Sequence, residues 1–102
     1  MTGARLHGVP TLRWVEGQIR RLEGFEVSFL HPDGRDVRSD MRDVPSYDFA
    51  RRLGDDRTVA DWKRLRFQQR YRGFDVEVRD TDGSRVHGNT LLGSLRARFG
   101  TS

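Results

Sequence analysis

The chain has 102 residues, with 19 Lys or Arg against 15 Asp or Glu, a net charge of +4. One third of it is charged, 34% is hydrophobic and 10% is aromatic, which is too apolar for a disordered tail and enough for a modest core. No apolar run exceeds two residues, which argues against a membrane span or signal peptide. The absence of cysteine excludes disulfides and thiolate chemistry, and suits a reducing, cytoplasmic setting.

The first nine residues read as a frayed end. From Leu12, apolar residues recur as Leu12, Val15, Ile19 and Leu22, one stripe of a helix, with Arg13, Glu16 and Arg20 opposite. Pro10-Thr11 suits its start and Gly24 its stop. Phe25, Val27 and Phe29 then alternate with polar residues, the period of a half-buried strand. Pro32-Asp33-Gly34 is a turn, and Val37 belongs to a return strand. Ser46 is placed to cap a short helix carrying Asp48 early, Arg51 and Arg52 late, and Gly54 after it.

The landmarks then repeat. Gly24-Phe25-Glu26-Val27 returns as Gly73-Phe74-Asp75-Val76, and Asp33-Gly34 as Asp82-Gly83. Thr11 pairs with Thr58, Trp14 with Trp62, and Val37 with Val86. Thr58 and Asp61 form a capping-box pattern before a helix that runs to about Tyr71. Asn89 is placed to cap a last helix with Leu91, Leu92, Leu95 and Phe99, and residues 101–102 read as frayed.

The expected fold is therefore α+β: two tandem α-β-β-α repeats, 1–54 and 55–102, within one domain. Their hairpins would join as one four-stranded antiparallel sheet, with the helices packed on one face. Phe25, Phe74, Val27, Val76, Val37 and Val86 should face a shared core.

Charge is unevenly spread. Residues 57–72 hold six cations against one acid, residues 73–84 four acids against one cation, and residues 85–102 three cations and no acid. Lys63, Arg66 and Arg70 fall at i, i+3 and i+7, flanked by Trp62, Phe67 and Tyr71. That pattern reads either as a phosphate-binding stripe with stacking aromatics or as a solvated face over aromatic core. Arginine supplies 18 of the 19 cations, a skew that a GC-rich bacterial or phage coding sequence also produces. The segment His87-Gly88-Asn89-Thr90 either offers backbone donors to an anion or ends a strand and caps a helix.

Catalytic patterns are missing: there is no Gly-x-Ser-x-Gly, no phosphate loop, and no metal-ligand spacing among His7, His31 and His87. The stretch Val15 to Gly24 has a ten-residue resemblance to the acid-ended first helix of LAGLIDADG homing endonucleases, with Glu23 in the acidic place. The spacing is one residue longer, Arg20 and Arg21 stand where small or acidic residues belong, and no acid precedes Gly73. The expectation is a non-enzymatic nucleic-acid-binding protein without cofactor or metal. Lys63, Arg64, Arg66, Arg70, Arg96 and Arg98 would contact phosphate, and Gly88 and Asn89 would donate to it. The alternatives are a protein–protein module (an adaptor, inhibitor or assembly subunit that docks on a protein partner or as a homodimer) and, behind it, a metal-dependent nuclease built on Glu23 with Asp33 or Asp82.

Overall fold

A computed structural model describes residues 10–101; the frayed end expected over the first nine, and Ser102, lie outside them. Helix α1 spans Leu12–Glu23 and strand β1 Glu26–Leu30. A second long helix starts as α2 (Val59–Trp62), passes through a π-helical turn (Lys63–Phe67) and ends as α3 (Gln68–Arg70). Strand β2 (Asp75–Arg79) and helix α4 (Leu92–Phe99) complete the fold.

Local chemistry sets these boundaries. Thr11 accepts from the Trp14 N–H at the start of α1, and Gly24 at φ 83° ends it. A Cβ on Gly24 would meet the Thr101 hydroxyl at 2.6 Å, so close approach and backbone conformation both require glycine there. Thr58 and Asp61 form the capping box that their spacing predicts.

The four-stranded sheet does not form. The sheet is a two-stranded antiparallel ribbon in which β1 pairs with β2, from Glu26 opposite Arg79 to Leu30 opposite Asp75. Each expected return strand contracts to one bridge, Leu30 with Asp36 and Arg79 with Arg85. The cause lies just past Val37 and Val86, where no further alternating apolar residue is present to hold a strand on the core. The backbone instead turns back to serve the helix starts. Leu12 and Arg13 donate to the carbonyls of Met41 and Ser39 at 2.9 and 3.0 Å; Val59 and Ala60 donate to those of Thr90 and Gly88 at 2.9 and 3.0 Å.

The tandem α-β-β-α plan fails as well, because the first half has no closing helix: residues 44–54 run without helical structure. Side chains hold this segment open, with Tyr47 N–H donating to Gln18 Oε1 and Leu53 N–H to Glu23 Oε1. Ser46 caps nothing; its carbonyl accepts from Arg70. Asn89 does not cap α4 either, since Leu91 occupies the N-cap position. The first N–H groups of α4 reach the carbonyls of Arg57 and Asp55. Thr101, expected to fray, donates its hydroxyl to the Gly24 carbonyl at 2.7 Å.

One core holds both halves. Phe25, Val27, Val37, Val76 and Val86 are buried in it and Phe74 packs against it, as their alternation predicts. The aromatics of the second helix are core too: Trp62 meets Phe25 edge-on at 5.2 Å and Phe67 meets Phe29 at 4.9 Å.

Candidate nucleic-acid interface

Burial decides first which predicted phosphate ligands face solvent. Arg96 is 0% exposed and does not. Its guanidinium donates to Glu23 Oε1 at 2.9 Å, to Asp55 Oδ1 at 2.7 Å, and to the Leu53 carbonyl at 2.7 Å. Arg66 is also removed: Nη1 lies 2.7 Å from Glu23 Oε2, with the guanidinium 4.4 Å above the Phe49 ring. Both arginines neutralise one buried carboxylate, a role that sequence spacing did not reveal.

The same carboxylate accepts from the Tyr47 hydroxyl, which in turn accepts from the Trp62 indole N–H at 2.9 Å. Burial, then the adjacent Glu23 charge, pushes the Tyr47 hydroxyl well above its ordinary pKa, so it remains a proton donor. Glu23, the acid on which the nuclease reading rests, is buried and bonded to internal partners. Asp33 and Asp82 serve their own turns, bonded to Arg35 and Ser84.

Three other predicted ligands are on the surface but paired. Arg64 pairs with Asp61 at 3.0 Å, Arg70 with Asp48 at 3.3 Å and Arg98 with Asp80 at 2.9 Å. Arg98 and the Thr81 N–H hold the Asp80 carboxyl below its usual range. Lys63 is half-buried, with no ion pair among the described residues. Gly88 gives its carbonyl to Ala60, and the Asn89 backbone N–H donates to His87 Nδ1 at 3.2 Å, while Asn89 itself is exposed.

A different surface emerges from the two long helices. The outward side of α1 carries Arg13, Trp14, Gly17, Gln18, Arg20 and Arg21. Its two acids point away: Glu23 is buried, and Glu16 accepts from the Phe29 N–H at 3.0 Å. Burial raises the Glu16 pKa, against the lowering effect of that N–H and with help from Asp36 and Glu26. The second helix exposes Ala60, Arg64, Gln68 and Gln69, and Arg72 lies just past its end. Its one acid, Asp61, is committed to the Thr58 N–H and to Arg64, which hold its carboxyl low. Helical periodicity sets Arg13 and Arg21 together outside the apolar stripe of α1 and is the signal that points to this face, whereas charge counted by segment points to residues 57–72 and 85–98. Comparison with protein-family models, with curated proteins and with solved structures finds no match to this chain.

Proposed function

We propose that the chain is a non-enzymatic nucleic-acid-binding protein, of an accessory or regulatory kind, that engages phosphates through the outward faces of its long helices. One observation carries this reading: every acid on those helices is buried or internally committed, leaving Arg13, Arg20, Arg21 and Lys63 as the charges they offer, with Arg72 just past the second helix. Exposed acids lie instead in turns, connecting segments and the ribbon, such as Asp33, Asp56, Asp82, Glu26 and Asp75. Arginine beside amide side chains suits contact with phosphate and sugar.

Titration of the full chain with labelled DNA and RNA tests this. Affinity tighter than about 10⁻⁴ M at low salt is expected, falling by roughly 0.9 log units per contact for each decade of salt. Arg13→Glu with Arg21→Glu, or Lys63→Glu with Arg72→Glu, should each weaken binding. No binding at low salt would end the proposal. A protein–protein module is the second reading, favoured by ribbon edges that carry only a single bridge each in place of a third strand. A specific protein partner retained by both charge-reversal pairs, with no nucleic acid bound, would select it.

A further inference from the structure

We infer that Trp14 is a base-stacking residue, and that the α1 face around it takes a single nucleic-acid strand in preference to a duplex. This rests on the nucleic-acid reading above and names the form of its ligand. The chain has two tryptophans with opposite environments. Trp62 is fully buried with its indole N–H bound to Tyr47, whereas Trp14 is 48% exposed in the first turn of α1. The Trp14 backbone N–H is spent on the Thr11 cap, and its indole N–H has no partner among the described residues.

A lone exposed tryptophan is ordinary on a protein surface. Its neighbours set this one apart. Arg13, Gly17 and Arg21 form an i, i+4, i+8 row beside the row of Trp14 and Gln18. Gly17 has no side chain to lean on the indole, and the space its Cβ would fill lies 3.4 Å from Arg21 Nη1. The Arg21 guanidinium thus lies against bare backbone at Gly17, one helical turn from Trp14. Beyond it, Gln18, Arg21, Leu22, Tyr47 and Phe49 line a shallow groove of about 310 Å³.

An apolar protein partner would require apolar residues around the indole. The outward residues that α1 sets beside it are instead Arg13, Gln18 and Arg21, while Glu16 and Glu23 are committed inside the fold. An open π-face flanked by guanidinium groups is the combination that holds an unpaired base and its adjoining phosphates. In a duplex the bases are already stacked on one another, so the arginines alone would engage it.

Trp14 fluorescence reads this directly, because the second indole is sealed in the core. The full chain is titrated at low salt with a 15-nucleotide deoxythymidine strand and with a duplex. Quenching by the single strand is expected in the wild type and absent in Trp14→Phe, which retains only Trp62. Trp14→Ala should weaken single-strand affinity roughly 5- to 150-fold, as loss of a stacked base does, and leave duplex affinity within about twofold. Trp14→Phe, which keeps a ring, should retain most of the affinity, and unchanged melting temperatures would show both variants folded. Binding without quenching, or equal losses on strand and duplex, would overturn the stacking role and leave the nucleic-acid reading standing. No binding to either nucleic acid would overturn both.

Discussion

Glu23 accepts from four donors: the Leu53 N–H, the Tyr47 hydroxyl, and the guanidinium groups of Arg66 and Arg96. A buried pair of this kind adds little net stability over a well-packed apolar substitute, but removing one partner leaves the other charge stranded. We predict that Glu23→Ala costs about 3–5 kcal/mol, measured by urea unfolding, because the buried Arg96 keeps only Asp55 as a counter-charge and Tyr47 and the Leu53 N–H lose their acceptor. That is a large part of the roughly 5–15 kcal/mol that holds a domain together. Glu16 is the opposite case. Its folded pKa lies above the ordinary value of 4.5, so the folded state holds its proton more tightly and stability declines as pH rises through the interval above 4.5. Glu16→Gln keeps an acceptor for the Phe29 N–H and removes the titration. Its melting temperature at pH 7 should match or exceed the wild type, with a flatter profile from pH 4.5 upward; a lower value at pH 7 would refute this. The presence of these charges was plain in the sequence and their fate was not. The arginine partners of Glu23 lie 43 and 73 positions away, and no local rule connects them.

The π-helical turn explains why the landmarks of the two halves drift out of step. Leu12, Val15, Ile19 and Glu23 are buried on α1, and Val59, Trp62, Phe67 and Tyr71 on the second helix. The second series holds one extra residue between its second and third members, and the turn of Lys63–Phe67 absorbs it, with Gln68 N–H reaching back to the Lys63 carbonyl. Trp62 therefore matches Val15, and the sequence pairing of Trp62 with Trp14 joined a core residue to an exposed one. Deleting Arg64 should turn the π segment into ordinary α-helix while Phe67 and Tyr71 stay inward, and a cooperative thermal melt should survive. Deleting Gly17 from α1, which has no such slack, should rotate Ile19 and Glu23 off the core and abolish the melt. Equal tolerance of both deletions would contradict the assignment. Helices and strands with several periodic residues were legible in advance. The return strands, with one valine each, and the segment around Ser46, held by side chains of α1, were not.

Across the whole molecule, the only ladder among the described residues runs between the halves, and the buried side chains of both belong to one cluster. Residues 1–54 and 55–102 made separately should each lack a cooperative transition by circular dichroism. Mixed in equal amounts, they should recover one, since each supplies the strand that the other needs. A sharp melt from either half alone would contradict this. The ribbon also bears on synthesis at the ribosome. Chain grows at roughly 5–20 residues per second, and the partner of β1 lies about half the chain further on. For some seconds Val27 and Phe29 have no second strand beside them, and the unpaired edge of β1 is open to other nascent chains.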